Sequence, residues 1–139
     1  ISLSPSLIET VDIVCVMTQG RVQGESVRRL KAMVEILGVD GSSVRTNTPF
    51  IWDPASDTFF FKTESKAGIQ PTHAKRLKLI LLRLNHAREP RDMNLPGLKL
   101  HALEGDKAGY YSVWVNGNWR VVFRFDGEHV TNVDYVDYH

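Results

Sequence analysis

Three short stretches of this sequence put proton-carrying and anion-binding side chains close together. The chain closes on Asp137-Tyr138-His139, a carboxylate, a phenol and an imidazole in succession. His101 lies in Leu100-His101-Ala102-Leu103, where strand alternation sends it to the face opposite its neighbours. Arg120 lies in Asn118-Trp119-Arg120-Val121-Val122-Phe123. Histidine titrates near neutrality and acts as base or acid. Arginine offers a planar fork matched to phosphate oxygens. Each group also has a plainer account: an exposed polar end for residues 137–139, a cross-strand ion pair for Arg120, and core packing for Trp119.

Other chemistries lack their motifs. No GxxxxGK[ST] or GxGxxG is present to cradle a nucleotide, and there is no GxSxG elbow. Without CxxC or HExxH, neither a metal site nor a cofactor is expected, and the five histidines are scattered at 73, 86, 101, 129 and 139. The single thiol, Cys15, cannot staple the fold and suits a reducing, cytoplasmic setting. With 42% apolar and 24% charged residues, the 139-residue chain has the balance of a globular protein, which excludes a disordered tail or a disulfide miniprotein. No apolar run reaches the roughly 18 residues of a spanning helix, so no membrane partner is expected. Residues 1–9 carry no basic n-region, so no secretory signal is expected. The first residue is Ile1 rather than methionine, and a fragment is the expectation. Charge is uneven: residues 1–61 hold five basic and seven acidic side chains, residues 62–139 twelve and nine. That excess permits a polyanionic partner for the second part.

The candidate residues need a sheet to hold them. Four short strands are predicted at residues 98–103, 110–115, 119–125 and 130–136. Asn116-Gly117-Asn118 reads as a tight hairpin between the second and third. Ahead of them, Ala74, Leu77, Leu81, Leu84 and Ala87 form the stripe of a helix over residues 72–87, with Lys75, Arg76, Lys78 and Arg83 on its flanks. Pro71 suits its first turn and Pro90 follows its end. The second part is therefore α+β. In the first part, residues 11–17 read as a buried strand and residues 50–52 as a short strand between turns. Residues 27–37 fit both a helical stripe and strand alternation.

From residue 60 to the end the sequence resembles the HigB-type killer toxins of the RelE/ParE superfamily. The resemblance is carried by Phe60-Phe61-Lys62-Thr63-Glu64-Ser65-Lys66-Ala67-Gly68, His73-Ala74-Lys75-Arg76-Leu77 and Asn94-Leu95-Pro96-Gly97-Leu98-Lys99-Leu100-His101. It continues through Ser112-Val113-Trp114-Val115-Asn116-Gly117-Asn118-Trp119-Arg120-Val121-Val122-Phe123 and ends on Val136-Asp137-Tyr138-His139. It implies helices packed on an antiparallel sheet and a metal-free endonuclease that cuts messenger RNA in the ribosomal A site. It also implies a HigA-like antitoxin with a helix-turn-helix. Matched position by position, His101, Asp137, Tyr138 and His139 take the catalytic places. Arg120, Lys99, Lys107 and Asn118 take RNA-contacting ones, and Lys75, Arg76 and Arg83 would face the ribosome. The implied roles are an acid/base pair in His101 and His139, a phosphate clamp in Arg120, Asp137 orienting a histidine or acting as base, and Tyr138 stacking on a base or donating to phosphate.

Two departures matter. Members often read Pro-Leu-Lys-Gly after the strand histidine, whereas here Ala102-Leu103-Glu104-Gly105 puts an acid near the RNA path, with Lys107 the nearest compensation. The family's amino-terminal strand is also unrecognisable, which would leave a bare sheet edge. A leading strand, residues 50–52 or 11–16, is expected to replace it. Residues 8–59 resemble instead the β-rich region after the nucleotide-binding core of type II/IV secretion ATPases, best at Trp52-Asp53-Pro54-Ala55-Ser56-Asp57-Thr58-Phe59. That resemblance favours strand over helix for residues 27–37. Two units are thus expected, 1–59 and 60–139. The alternative to a nuclease is an inactive or gyrase-targeting binding module that holds an antitoxin.

Overall fold

The computed structural model describes residues 13–61 and 69–138. Its first part is a four-stranded antiparallel meander in the order β1-β2-β3-β4. Here β1 is Ile13–Val22, β2 Glu25–Asp40, β3 Ser43–Asp53 and β4 Thr58–Phe61. Residues 27–37 are strand, and the mixed periodicity has a cause. The β2–β3 register slips between Met33 and Glu35 and again between Ile36 and Gly38. The β1–β2 register also slips between Val16 and Met17, where β2 holds an extra residue, so Leu30 and Ala32 are buried together with Met33 and Glu35. Pro49 lies in the first slip, between Asn47 and Phe50, where the ladder asks for no amide proton. That is why β3 runs far beyond the expected residues 50–52. The first predicted strand, residues 11–17, runs on to Val22, and its residues 11 and 12 lie outside the described residues.

The second part is α+β as expected, with one α-helix among the described residues. A 3-10 turn at Pro71–His73 leads into α1 (Ala74–His86), which buries Leu77, Ile80, Leu81, Leu84 and Asn85. Ala87 turns extended at φ −71° and ψ 136°, and a second 3-10 turn follows at Pro90–Met93. The second sheet is again antiparallel, in the order β5-β6-β7-β8. Its strands are β5 (His101–Ala102), β6 (Tyr110–Asn116), β7 (Trp119–Asp126) and β8 (His129–Asp137). The strand predicted at residues 98–103 shrinks to two residues because Leu95-Pro96-Gly97 turns the chain and Lys99 adopts φ +49°. Only isolated backbone bonds flank it, Trp114 N–H to Leu98 O at 2.6 Å and Leu103 N–H to Tyr110 O at 2.8 Å.

Both sheets and the helix bury one continuous core. It joins Leu30, Phe50, Trp52 and Phe59 of the first sheet to Leu77, Ile80 and Leu84 of α1 and to Val113, Val121 and Phe123 of the second. Each fully buried aliphatic or aromatic side chain of this kind contributes about 2–3 kcal/mol relative to exposure. Three polar joints complement the apolar one. Asn85 Oδ1 accepts from Leu30 N–H at 2.8 Å. Buried Glu35 accepts from Ile69 N–H at 3.2 Å and from Asn47 Nδ2 at 2.8 Å. Asp57 accepts from Arg29, Trp52 and His86, all at 2.8–2.9 Å.

Among the described residues the expected strand replacement does not occur. β8 remains the last hydrogen-bonded member of its sheet, and all four leading strands pair only among themselves. β1 and β2 instead come close to β8 without joining its ladder. Arg28 on β2 pairs with Asp126 at the end of β7 at 3.0 Å. The physical reason is the core. The leading strands carry too much apolar surface to line up as one edge strand, and they cover the second sheet's core side with a sheet of their own.

Candidate nucleic-acid interface

The register of the second sheet sorts its side chains by face. Ser112 lies between His101 and Val122, and Val122 in turn faces Asp134. In the next row Trp114 pairs Arg120, which pairs Val136. A third row joins Tyr110, Arg124 and Thr131. Directly opposed residues share a face, so His101, Arg120, Arg124, Tyr110 and Asp134 all project from one side. The other side carries Val113, Val121, Phe123 and Tyr135 into the core. His101 and Arg120 stand two strand spacings across and two residues along the sheet from each other, about 12 Å. His101 is exposed.

Arg120 is anchored but not consumed. Its Nη1 donates to Gly117 O at 2.8 Å and Trp119 O at 2.9 Å. Among the described residues it makes no ion pair, so the cross-strand pair that would have been its plainer account is absent. Its Nε and Nη2 make no hydrogen bond there either, which leaves the outer edge of the guanidinium for an anion.

The end of β8 is fixed from the core side. Asp137 lies opposite Trp119, not in the row of Arg120, and is half-buried. Trp119 stacks on Tyr135 with ring centroids 4.4 Å apart, and the Tyr135 hydroxyl lies 2.8 Å from His73 Nδ1. Burial lowers the His73 pKa and pushes the Tyr135 phenol up to about 12, with the Asp137 charge adding to the latter. His73 is thus a neutral core histidine, and half-buried Trp119 packs against the core. Tyr138 returns toward the open face: its N–H donates to Asn118 O at 3.0 Å and its ring is 43% exposed. His139 lies outside the described residues.

The expected cations divide into free and committed ones. Lys75 and Arg83 are exposed on α1. Arg76 is a structural clamp: it donates to Gly97 O and, at 3.3 Å, to Trp114 O, and lies 4.8 Å from the Trp114 ring centroid. Lys99 covers the same ring at 4.5 Å. Lys107 sits 5.5 Å from the Tyr110 ring, which Arg124 approaches at 5.6 Å. Both distances are within the usual cation–π range of about 6 Å. Glu104 is exposed ahead of the Gly105–Lys107 turn.

Tyr110, Arg124 and Asp134 complete this face, and none of them stood out in the sequence. Tyr110 and Asp134 border a surface hollow of about 290 Å³ with Lys107, Asn132, Val136 and Tyr138. Their signal was positional: each occupies an alternate residue of a predicted strand, in phase with His101 or Arg120. A larger hollow of about 440 Å³ lies where the β1–β2 turn, the end of α1 and the β7–β8 turn meet. Its rim mixes Glu25, Arg88, Glu128 and His129, away from the predicted chemistry. Among the described residues no three His, Cys, Asp or Glu side chains converge to hold a metal ion. No described helix is long and apolar enough to cross a membrane.

Comparison with known proteins identifies the family. Residues 53–139 match the family described as the RelE-like toxin of type II toxin-antitoxin system HigB. The chain is 33% identical over 79 residues to the endoribonuclease HigB of Proteus vulgaris, which covers 57% of this chain and 86% of that protein. With more than half of its length matched by the family, the chain belongs to the HigB-like toxins of type II toxin–antitoxin systems.

Proposed function

We propose that this chain is a metal-free endoribonuclease that cuts messenger RNA in the ribosomal A site. One observation carries the reading: Arg120 presents unengaged guanidinium nitrogens on the same open face as His101, beside the end of β8 that bears Tyr138. The relative named an endoribonuclease supports it. In the proposed reaction one histidine takes the proton of a ribose 2′-OH. The 2′-oxygen attacks the adjacent phosphorus, and the 5′-oxygen leaves with a proton from a second histidine. The products are a 2′,3′-cyclic phosphate and a 5′-hydroxyl. His101 and His139 form the acid/base pair, and Arg120 neutralises the charge that grows on the phosphorane. Asp137, on the core-side face, orients a histidine rather than touching RNA. Lys99, Lys107 and Asn118 line the RNA approach, while Lys75 and Arg83 meet the ribosome, which places the reaction in the cytoplasm. A toxin of this type implies an antitoxin partner, here of the HigA-like helix-turn-helix kind.

Exposed Glu104 favours a second reading, a binding module that holds an antitoxin or engages gyrase without cutting RNA, because its charge repels phosphate. Primer extension on messenger RNA bound to ribosomes separates the two. Cuts within the A-site codon are expected with the intact chain. Arg120→Ala should weaken them by about a hundredfold or more, and His139→Ala should abolish them. Ribosome binding without any cut would refute the nuclease and leave the binding module.

A further inference from the structure

We propose that the hollow between Tyr110 and Tyr138 is a pocket for a single unpaired nucleobase, and that Asp134 selects bases bearing an amino group over uracil. This rests on the reading that RNA runs over the open face of the second sheet. The hollow is separate from His101 and has the parts that base recognition requires. Val122, Val133 and Val136 give it an apolar lining, and Tyr110 and Tyr138 provide aromatic walls. Aromatic walls hold unstacked bases in a sequence-tolerant way.

The aromatic surfaces are held in place. Asn132 Nδ2 donates to the Tyr110 hydroxyl at 3.2 Å, and Thr131 Oγ1 donates to Asn132 Oδ1 at 3.1 Å. Lys107 and Arg124 lie against the Tyr110 ring and put positive charge where the flanking phosphates would pass. Asn132, already engaged at both ends of its amide, has little left for a base. Asp134 is different. It is the one carboxylate bordering the hollow among the described residues, and its side chain accepts no side-chain hydrogen bond there.

Its surroundings tell the same story. The protein around Asp134 raises its pKa, offset in part by the Tyr135 N–H and the Lys107 charge. Cys15 of β1 stands near enough for the Asp134 charge to add to the burial that drives the thiol to about 12. Asp134 is exposed at the hollow, and the Tyr135 N–H and the Lys107 charge leave acceptor capacity on its carboxylate for an amino-group donor. Adenine, cytosine and guanine each offer one on the pairing edge. Uracil offers one N3–H flanked on both sides by carbonyl oxygens that a carboxylate repels.

The test uses the intact chain and short single-stranded oligo(A), oligo(C) and oligo(U) of equal length, read by fluorescence anisotropy without ribosomes. Oligo(A) and oligo(C) should bind about tenfold tighter than oligo(U), the discrimination expected of one good base contact. Asp134→Asn replaces one acceptor by a donor that matches the uracil oxygens, so the preference should vanish or invert while thermal stability stays the same. Tyr110→Leu should weaken all three oligomers by about tenfold, the loss expected for one stacked base, and keep their order. No preference in the intact chain, no binding to any oligomer, or a preference that survives Asp134→Asn would each overturn the proposal. A-site cutting with an unchanged codon spectrum in Asp134→Asn would sink the pocket and spare the nuclease. Discrimination without cutting would do the reverse.

Discussion

Asp57 is the polar keystone between the two parts of this chain, and replacing it with asparagine tests how much the joint stabilises. The carboxylate accepts from Arg29 Nε at 2.8 Å and Nη2 at 2.9 Å, from Trp52 Nε1 at 2.8 Å, and from His86 Nε2 at 2.8 Å. The Arg29 hydrogen bonds lead in holding its pKa down from 3.8 to about 2, helped by Trp52 and by the charges of Arg29 and His86. A depression of that size is worth about 2 kcal/mol of linkage. Screening on the solvent side, where the His86 side chain is 49% exposed, trims it to about 1–2 kcal/mol. Asp57→Asn at pH 7 also leaves the Arg29 guanidinium, 8% exposed, without its counter-charge. Breaking a buried pair from one side costs about 3–5 kcal/mol, and the surviving amide oxygen recovers part of that. The expected loss is therefore about 2–3 kcal/mol at pH 7. The sign with pH follows from the depressed pKa. The stabilisation is complete above about 5, where both folded and unfolded chains are ionised, and is lost progressively as pH falls through 3.8 toward 2. Urea unfolding of both proteins at pH 7, 4 and 2.5, followed by tryptophan fluorescence, checks this. The difference between the two cancels every other carboxylate. It should shrink by about 1–2 kcal/mol between pH 7 and 2.5. A gap below about 0.5 kcal/mol at pH 7, the range of an ordinary surface change, or one that does not move with pH, would refute the reasoning.

Two further outcomes are expected. Arg76→Ala should lower stability by about 1–3 kcal/mol in thermal or urea melts, since it removes hydrogen bonds to Gly97 and Trp114 carbonyls and the contact with the Trp114 ring; Lys75→Ala, exposed on the same helix, should change it little. Burial keeps His73 neutral when folded, so the unfolded chain binds the extra proton, and stability should fall as pH drops below about 6.5. His73→Gln, which keeps a partner for the Tyr135 hydroxyl but cannot titrate, should show a flatter urea midpoint between pH 5 and 7.

The elements that were legible in the sequence are those whose pattern and punctuation agree. α1 has a clean stripe, with Pro71 before it and Pro90 after it, and it runs where that stripe predicts. The hairpin around Gly117 and the strands on either side also follow their local signals. β2 and β3 were harder because two bulges reverse the alternation and hide Pro49 in a slip, so that no single period describes either strand. β5 was overdrawn because alternation in residues 98–103 says nothing about Lys99 at φ +49°. Candidate site residues were legible by type, and His101 and Arg120 do share a face. What sequence could not supply was commitment. Arg76 looked like one more flanking cation, and only its contacts show it holding a loop. Asp57 looked like a turn residue after Pro54, and the residues it gathers come from three places far apart in the chain.

The two sheets explain how a long leading segment can coexist with the candidate RNA-facing side of the second sheet. A segment that entered the second sheet as a strand would have stopped at the β8 edge and left its remaining apolar residues exposed. The leading strands instead pair with each other and place Leu30, Met33, Phe50 and Phe59 against the helix side of the second sheet. That side is already committed to the core through Val113, Val121 and Phe123, so covering it costs the open side nothing. His101, Arg124 and the Tyr110 hollow therefore keep their access to solvent. The leading sheet reaches the open face at the β8 rim, where Cys15 comes near Asp134. Any influence of the leading segment on RNA must act through that rim or through the stability of the shared core. The shared core makes the second route substantial: five of its largest apolar side chains, Leu30, Met33, Phe50, Trp52 and Phe59, come from the leading sheet.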